Sequence, residues 1–518
     1  MKSLKKLLSI VLCLSMLVCV FAGCKGGNNT SGDTSKGTLS INTSVLSDFE
    51  MVSPTAGEKY YTNTVDVAWE GLEKDETVSL KIEKKNGSSY TTVLEKAGLT
   101  GDSFKSEDKL DNEGVYKISA TVNLKDGNTV TRTVEVTVLN LVKNATVNQG
   151  LNFTFKGSIS EKVLNNYLSR AITYENANTD EALRAILNTG AKYISRSAAE
   201  WYPSKWFEDD RLPIFEELIE KAHSIDPDII FEGCIFETTG KDINDIKIPA
   251  FVFEAFGKEP EDRCFDHRKM LFPDGHGKNM WAAGYSMPDI TREETQMFIY
   301  YRACKFIDIG VEAIHLGQTK QTGKNDKNNK RWTKVIHLIR DYAKKNARRG
   351  YVIINSHHPS HDFVGTDGVM LVDFNASPMR PKAVGAANSS PQKCVLNTDV
   401  DAPYTKNISG TSPSGWTTNH YPYLVEFDNY DAAQGDAVWG MDESSWIANQ
   451  SDDYRRSFYT EVRKMVAAFN NNGHVALLGK RPASTKKAHG YYYMNNSKYF
   501  SDGFSDEEAI IAAFKAYK

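Results

Sequence analysis

The sequence predicts a small all-β domain followed by a larger domain in which parallel β-strands alternate with helices. Up to about residue 140, apolar residues alternate with polar ones, which is typical of half-buried strands. From about Leu151 onward, short apolar runs are separated by amphipathic stretches, which is typical of parallel strands joined by crossover helices. The chain has 518 residues, of which 40% are hydrophobic and 25% charged. It is therefore long enough for two folded domains and too apolar to be disordered.

Residues 1–24 have the pattern of an export signal. Three lysines within the first six residues precede an apolar run over residues 7–20, and the small residues Ala22 and Gly23 stand directly before Cys24. The apolar run is shorter than the ~20 residues that span a bilayer. This length favours a cleaved signal over a retained membrane helix.

The segment Phe21-Ala22-Gly23-Cys24 resembles the lipobox of bacterial lipoproteins, in which the signal is cut before the cysteine and the cysteine is acylated. The resemblance implies lipidation of Cys24, a membrane partner through this lipid anchor, and a location on the outer face of the bacterial cell membrane. Residues 25–46 are rich in Gly, Ser, Asn and Thr and are expected to form a flexible linker.

Residues 47–142 are predicted to form a small β-sandwich. Four runs in which apolar residues alternate with polar ones are the candidate strands: Val65–Trp69, Val78–Ile82, Tyr116–Val122 and Val130–Val138. The pairs Asn86-Gly87 and Asp126-Gly127 lie between such runs and suit tight hairpin turns. This pattern resembles immunoglobulin and fibronectin type III modules, which are common beside surface enzymes. The resemblance implies a spacer, with carbohydrate binding as the alternative.

Residues 150–518 are predicted to form a (β/α)₈ barrel of the TIM type, because eight candidate strands alternate with helical segments. The candidate strands are Lys192–Ser197, Ile229–Glu237, Trp281–Ser286, Val311–Gln318, Tyr351–His357, Val369–Phe374, Tyr423–Asp428 and His474–Gly479. Between the fifth and sixth strands only residues 358–368 intervene, which is too short for a crossover helix. A barrel that lacks this helix is the first interpretation, and an open doubly wound sheet is the alternative.

The charge balance and the cysteines exclude several kinds of partner. The chain has 62 Lys and Arg against 66 Asp and Glu, so no strongly basic surface for nucleic acid is expected. The cysteines beyond residue 24 are far apart and show no Cys-x-x-Cys spacing: Cys234, Cys264, Cys304 and Cys394. This spacing favours buried free thiols over a zinc site or a disulfide framework, and no metal or other cofactor is expected.

Polar residues gather at the predicted C-terminal ends of the strands, where barrel proteins carry their functional sites. The candidate catalytic residues are four carboxylates: Glu237, Asp373, Glu426 and Asp428. If Val425 and Phe427 face the helices, Glu426 and Asp428 face the barrel mouth, and the same alternation is expected to point Asp373 inward. Burying so many carboxylates for structure alone is costly, which favours a functional site over a salt-bridged rim.

Six further residues near the strand ends and in the long loops are candidates for substrate binding. They are Arg196, Glu200, His315, Gln318, His357 and Trp416. The loops over residues 238–280 and 375–422 are long for a compact domain and are expected to wall a groove.

Two convergent carboxylates are what glycosidic cleavage needs, because one protonates the leaving oxygen while the other attacks the anomeric carbon or activates water. At the level of architecture, residues 150–518 resemble the secreted (β/α)₈ glycoside hydrolases that carry an appended β-sandwich. The resemblance implies a cell-surface hydrolase with a carbohydrate substrate. One catalytic carboxylate would be Glu426 or Asp428 and the other Glu237 or Asp373. In the largest clan of these enzymes the nucleophile ends the seventh strand, as Glu426 does, while the acid follows the fourth strand, where this sequence has Gln318.

Two other functions fit the same sequence. The missing carboxylate after the fourth strand favours a glycan-binding protein without activity. The histidines at positions 357, 358 and 361, with Asp362 and Asp373, would suit a metal-dependent hydrolase or deacetylase. The HExxH, GxSxG, P-loop and dinucleotide-binding motifs do not occur in the sequence, so zincin, serine-esterase and nucleotide-binding functions have no support.

Overall fold

The structure is a computed structural model that describes residues 48–516 except for short gaps. The residues outside the description are 1–47, 61–63, 107–109, 111–112, 126, 140, 142, 400, 407, 430–437, 486, 488 and 517–518. The predictions for the export signal, for lipidation of Cys24 and for the linker over residues 25–46 therefore lie outside the described residues. Within the described part, no helix has the length and apolar character needed to cross a membrane.

The N-terminal part of the described chain forms two β-sheets. Its strands are β1 (Glu50–Ser53), β2 (Lys59–Tyr60), β3 (Asp66–Glu70), β4 (Thr77–Asn86), β5 (Ser89–Leu99), β6 (Ser103–Lys105), β7 (Gly114–Asn123) and β8 (Thr129–Val138). The sheet orders are β1-β3-β6 and β2-β8-β7-β4-β5. Buried and partly buried residues alternate along most of β4 and β7, in line with the predicted alternation. The immunoglobulin-like assignment and the boundaries 47–142 and 150–518 stay predictions.

The remaining strands belong to the C-terminal part of the chain. They are β9 (Ala171–Tyr174), β10 (Tyr193–Ala198), β11 (Ile230–Ile235), β12 (Thr239–Gly240), β13 (Tyr285–Ser286), β14 (Ala313–Leu316), β15 (Ile353–Ser356), β16 (Phe374–Pro378), β17 (Pro381–Val384), β18 (Lys393–Leu396), β19 (Gly410–Thr411), β20 (Thr417–Thr418), β21 (Tyr423–Glu426), β22 (Gly473–Pro482) and β23 (Tyr491–Tyr493).

Eight of these strands close into a parallel barrel. They pair in the order β9, β10, β11, β14, β15, β16, β21 and β22, and β22 pairs in parallel with β9. We call them barrel strands one to eight. The closed ring of eight parallel strands confirms the barrel prediction, and the alternative of an open sheet is wrong.

Helices lie at most of the crossovers between barrel strands, and further helices precede strand one and follow strand eight. They are α1 (Glu161–Leu168), α2 (Asp180–Thr189), α3 (Leu212–Ile225), α4 (Ala250–Ala255), α5 (Glu293–Asp308), α6 (Thr319–Thr322), α7 (Lys330–Asn346), α8 (Glu443–Ala448), α9 (Asp452–Phe469) and α10 (Glu507–Ala516). No helix lies among residues 357–373, all of which are described, so the predicted loss of the crossover helix between barrel strands five and six is confirmed.

Two errors in the predicted strands offset each other. The predicted strand Trp281–Ser286 is not in the barrel, because β13 pairs antiparallel with β12 inside the long excursion between barrel strands three and four. The first barrel strand, β9, was missed. It has only four residues and begins three residues after the end of α1, whose last residues are also apolar, so the sequence shows no separate apolar run.

The interior of the barrel has an apolar lower layer and a polar layer above it. The lower layer is formed by Ala171, Tyr193, Ile230, Ala313, Ile353, Phe374, Leu424 and Ala476. Residues of α1 and the segment before it, such as Phe153 and Tyr167, pack against this layer. Because side chains alternate along a strand, the residues two positions further on face the interior above it. They include Glu232, His315, Asn355 and Glu426.

Asp373 does not face the barrel mouth, so its predicted place in the catalytic pair is wrong. Barrel strand six begins at Phe374, which packs edge-on against Tyr193 inside the lower layer. The side-chain phase is therefore one residue away from the prediction, and a shift of one residue turns every side chain to the opposite face. Asp373 is fully buried, accepts hydrogen bonds from the Tyr351 hydroxyl and from Ile354 N (2.8 Å), and pairs with Arg340 (3.2 Å).

We expect Asp373→Asn to lower the free energy of unfolding by about 3 kcal/mol, because the change leaves the Arg340 guanidinium without its buried counter-charge. Urea denaturation followed by tryptophan fluorescence measures this. The matched control is Asp399→Asn, whose side chain is exposed and 3.9 Å from its nearest lysine. A loss for Asp373→Asn as small as that of the control, about 0.5 kcal/mol or less, would contradict a structural role.

Candidate functional site

A cavity of about 740 Å³ lies at the C-terminal end of the barrel. Its lining contains seven of the ten residues predicted for catalysis or binding: Arg196, Glu237, His315, Gln318, His357, Glu426 and Asp428. It also contains charged residues that the sequence analysis missed: Glu175, Arg380, Asp401, Asp442, Glu443 and Arg481. The structure therefore brings most of the predicted site together at one rim.

Glu426 ends barrel strand seven and is held by an ion pair across the mouth. Arg196 from barrel strand two donates from Nε to both carboxylate oxygens of Glu426 at 2.8 Å, and its Nη2 also contacts Oε1. Burial alone would raise the pKa of Glu426, but the charges of Arg196 and then Arg481 lower it to about 2. Glu426 is only 7% exposed, so it is a buried carboxylate that stays ionised at neutral pH.

The backbone of Arg196 is bent to make this contact. Its φ angle is +56°, in the left-handed region that a residue with a Cβ rarely adopts. The pairing register between β10 and β11 shifts between Ile194 and Ala198, as at a β-bulge. The Arg196 N–H donates to Glu232 Oε1 at 3.0 Å, which holds the bend in place. Such strain is commonly found where a side chain must be aimed at a functional site.

Glu237 follows barrel strand three and has a different environment from Glu426. Its Oε2 accepts a hydrogen bond from Gln318 N at 3.0 Å, and within the described residues neither of its oxygens has a lysine or arginine partner. Burial raises the pKa of Glu237, which favours its protonated form. Gly317 allows this packing, because a Cβ there would overlap the Glu237 carboxyl group.

A second arginine ties together the other side of the mouth. Arg380 forms a two-pronged ion pair with Asp401 at 3.1 and 3.2 Å and contacts Asp428 at 3.1 Å. Like Arg196 it has a left-handed backbone, with φ at +54°, and its N–H donates to Glu443 Oε1 at 2.8 Å. Asp428 also lies 3.4 Å from Arg481. Asp428 is thus in the cavity, but both of its oxygens are engaged by arginines.

Burial raises the pKa of Glu443 to about 8, since the nearby charge of Arg380 only partly offsets it. Glu443 begins α8 and accepts hydrogen bonds from the backbone of Arg380 and of Asp428. Arg380 and Glu443 follow barrel strands six and seven, which are neighbours in the barrel but far apart in the chain. That separation explains why sequence reasoning missed both.

Two predicted binding residues are not part of the cavity lining. Glu200 accepts hydrogen bonds from Ser204 N (3.0 Å) and Ser204 Oγ (2.5 Å) and has its pKa raised to about 7 by burial. The Trp416 indole donates to Ile159 O at 2.9 Å and stacks on Tyr421. Because Tyr421 lies two residues before the start of barrel strand seven, this tryptophan lies at the N-terminal end of the barrel, contrary to the prediction.

An aromatic wall lines the cavity beside Glu237. The ring of Trp201 lies 5.1 Å from Phe236 and 5.2 Å from Trp281, and Trp201 is 36% exposed. The indole of Trp281 donates to Glu237 O at 2.9 Å, so the wall is fixed to the backbone of the carboxylate it flanks. Sequence reasoning missed both tryptophans. Trp281 was placed in a barrel strand, and Trp201 was not singled out. Exposed aromatic faces of this kind suit stacking against a sugar ring.

The histidines of the metal hypothesis have separate partners. His358 lies 3.5 Å from Asp362, His361 contacts Ser377 Oγ at 3.2 Å, and Asp373 is at the opposite end of the barrel. His357 lines the cavity 3.8 Å from Asp401. Across the described ranges there is no group of three His, Cys, Asp or Glu residues arranged to hold a metal ion.

Comparison with known proteins adds little to this description. No protein-family model and no curated protein matches the chain. Among solved structures, it is similar to Amy13B from Eubacterium rectale, with 12% identity, a TM-score of 0.34, and coverage of 68% of this chain and 77% of Amy13B. It is also similar to a candidate glycoside hydrolase from Bacteroides vulgatus, with 13% identity, a TM-score of 0.16, and coverage of 58% of this chain and 49% of that one.

Over a shorter stretch the chain is similar to murine CRIg, with 14% identity, a TM-score of 0.14, and coverage of 17% of this chain and 95% of CRIg. All three TM-scores lie below 0.5, so these likenesses carry no argument about function. The fold and the site define the chain as a parallel eight-stranded barrel with a carboxylate-rich cavity at its C-terminal end.

We expect Arg196→Met to lower the free energy of unfolding by about 3 kcal/mol at pH 7, because Glu426 would keep a buried charge without a partner. Adding Glu426→Gln should recover at least about 1 kcal/mol of that loss. Urea denaturation of the two single variants and the double variant measures the coupling. Losses that simply add would show that the two side chains do not depend on each other.

Proposed function

We propose that the barrel is a glycoside hydrolase in which Glu426 and Glu237 are the two catalytic carboxylates. The observation that carries this proposal is that two carboxylates in one cavity have environments that move their pKa values in opposite directions. Such a difference is how an enzyme assigns the acid and the base of a reaction to two chemically identical groups.

Glu426 has the properties of the ionised partner. Its low pKa keeps it negative, so it would attack the anomeric carbon or activate a water molecule, and it would stabilise the positive charge that develops on the sugar ring. Arg196 orients both of its oxygens. We assign Arg196 the role of a positioning residue.

Glu237 has the properties of the acid. Burial without an ion-pair partner among the described residues raises its pKa, which favours the protonated form, and the tryptophan wall lies directly beside it. A leaving-group sugar stacked on Trp281 would therefore place its glycosidic oxygen near the Glu237 carboxyl group. Asp428 and Asp401 are better explained as ion-pair partners that hold the loops of the mouth.

The location belongs to the same proposal. The lipobox-like segment that ends at Cys24 supports an exported protein held at the outer face of the cell membrane. The N-terminal sheets would then act as a spacer between the lipid anchor and the barrel. A carbohydrate substrate is a reasonable partner for a cavity that faces the medium.

A glycan-binding protein without activity is the second candidate. It is favoured by Gln318, which is an amide at the position where many barrel hydrolases carry their acid. It is also favoured by the hydrogen bond that Gln318 N donates to Glu237. The two functions share the cavity and differ only in turnover.

We expect purified protein to hydrolyse at least one member of a panel of oligosaccharides and aryl glycosides. Glu237→Gln should lower kcat/KM for a natural oligosaccharide by about 10² to 10⁴, the usual share of general acid catalysis. Glu426→Gln should abolish turnover of every substrate. Reducing-end and chromogenic assays measure both.

The matched control is Glu220→Gln, an exposed position on α3, which should keep full activity. Circular dichroism checks that all variants are folded. Turnover that survives Glu426→Gln would refute the hydrolase mechanism. Glycan binding by the wild-type protein with no turnover of any substrate would support the second candidate instead.

The pH profile should have an alkaline limb and no acid limb in the range where the protein is folded. Glu237 must be protonated to act, so kcat/KM falls as pH rises through its raised pKa, whereas Glu426 protonates only near pH 2. With a dinitrophenyl glycoside, whose leaving group needs no proton, the alkaline limb should disappear. Glu443 also lines the cavity and has its pKa raised to about 8, so an alkaline limb that persists with that substrate in Glu443→Gln would show that Glu237 is not the acid.

A further inference from the structure

Three buried side chains form a hydrogen-bonded chain across the polar layer of the barrel. Asn355 on barrel strand five is the middle member, and it contacts Glu232 on strand three and His315 on strand four. His315 lines the cavity, while Asn355 is fully buried beneath it. The hydrogen-bonded chain therefore links the interior of the barrel to the cavity.

The amide of Asn355 has only one satisfactory orientation. Its Nδ2 lies 2.7 Å from Glu232 Oε2 and 3.1 Å from Tyr193 Oη. Tyr193 donates to the same Glu232 oxygen at 2.5 Å, and Arg196 N donates to the other. Burial raises the pKa of Glu232, and the hydrogen bonds to its two oxygens oppose this. Since these oxygens accept, the group of Asn355 that faces them is its NH₂, and Oδ1 faces His315.

This orientation fixes the tautomer of His315. Asn355 Oδ1 lies 2.7 Å from His315 Nδ1 and can only accept, so Nδ1 carries the proton. Burial and then the charge of Arg196 lower the pKa of His315 to about 4, which keeps the ring neutral. A neutral imidazole has one ring proton, so Nε2 is left as a bare acceptor.

The groups around the ring determine what Nε2 can bind. Within the described chain Nε2 has no hydrogen-bond partner. Arg196, Glu426 and His357 are the charged or titratable groups with the largest effect on the ring, and the Phe236 ring lies 5.9 Å away. Arg196 binds Glu426 through Nε and Nη2. A ligand group that contacts the Glu426 carboxylate or His315 Nε2 meets an acceptor and must bring a hydrogen-bond donor.

We infer that His315 Nε2 accepts a hydrogen bond from a free hydroxyl of the sugar that binds beside Glu426, with Asn355 and Glu232 as the positioning residues that keep this nitrogen unprotonated. The substrate class is therefore a glycan with an unmodified hydroxyl at that point. An O-acyl or sulfate group would set acceptors against acceptors, and a deoxy or O-methyl sugar would leave Nε2 unpaired. The identity of the ligand as a sugar rests on the proposed hydrolase function, whereas the tautomer does not.

The tautomer is tested directly by two-bond ¹H–¹⁵N correlation spectra of the full chain labelled with ¹⁵N-histidine. His315→Gln identifies the resonances that belong to His315. We expect a protonated Nδ1 and an unprotonated Nε2, unchanged between pH 6 and 8. A protonated Nε2 would overturn the inference whether or not the protein hydrolyses any glycan.

Asn355→Leu tests the positioning role, because leucine has nearly the shape of asparagine but no acceptor. We expect the His315 ring to lose its single tautomer while circular dichroism stays unchanged. A His315 that keeps the Nδ1–H form in folded Asn355→Leu would overturn the role of Asn355. If this variant does not fold, the wild-type spectrum still decides the tautomer.

The ligand is tested with monodeoxy and mono-O-methyl versions of the glycan that the protein hydrolyses or, without turnover, binds. One analogue should lose at least about 10²-fold in kcat/KM or affinity with wild-type protein and far less with His315→Phe. Equal losses in both proteins for every analogue would overturn the hydroxyl contact. Because the spectra need no glycan, failure of the hydrolase proposal and failure of this inference are separate results.

Discussion

The functional end of the barrel depends on keeping the charge of Glu426 buried. A carboxylate taken out of water is costly unless a counter-charge and hydrogen bonds replace the water, and Arg196 supplies both through a contact with the two oxygens. Reaching across the mouth obliges the arginine backbone to adopt a left-handed conformation within an irregular strand, and Glu232 binds the N–H at that bend. One ion pair therefore accounts for the bulge, for the strain and for a second buried carboxylate.

At the rim, two arginines with left-handed backbones, Arg196 and Arg380, bind carboxylates. Glu237 has no such partner in the part of the chain that the structure describes. Arg380 also has a left-handed backbone whose N–H is bound by a buried glutamate, and its guanidinium is also committed to carboxylates. Glu237 has neither an arginine contact nor a lysine contact within the described residues. Burial raises the pKa of Glu237, whereas the guanidinium groups of Arg196 and Arg481 lower the pKa of Glu426, so the two carboxylates differ in how readily they hold a proton.

Much of this site was predictable from sequence, and the exceptions have physical causes. The run Leu424 to Asp428 alternates clearly, so its inward carboxylates were predicted correctly. Around Asp373 the neighbours Val372 and Phe374 are both apolar, and periodicity cannot tell whether an apolar side chain fills the barrel floor or the layer under the helices. Phe374 fills the floor, which turns Asp373 toward Arg340. Arg380 and Glu443 lie in a loop and at the start of a helix that follow different barrel strands, and no local pattern encodes how these two segments meet.

The apolar floor and the polar layer above it explain why the acceptor without a partner among the described residues, His315 Nε2, faces the cavity. Polar groups inside a barrel are tolerated only when they are paired, and Glu232, Tyr193 and Asn355 satisfy one another just above the floor. Each hydrogen bond in this network uses one donor. At its last member, His315, the one ring N–H is already used in the hydrogen bond to Asn355. The acceptor left over at the cavity surface is therefore a consequence of satisfying the interior. A ligand that supplies the missing donor completes the network that begins on the barrel floor.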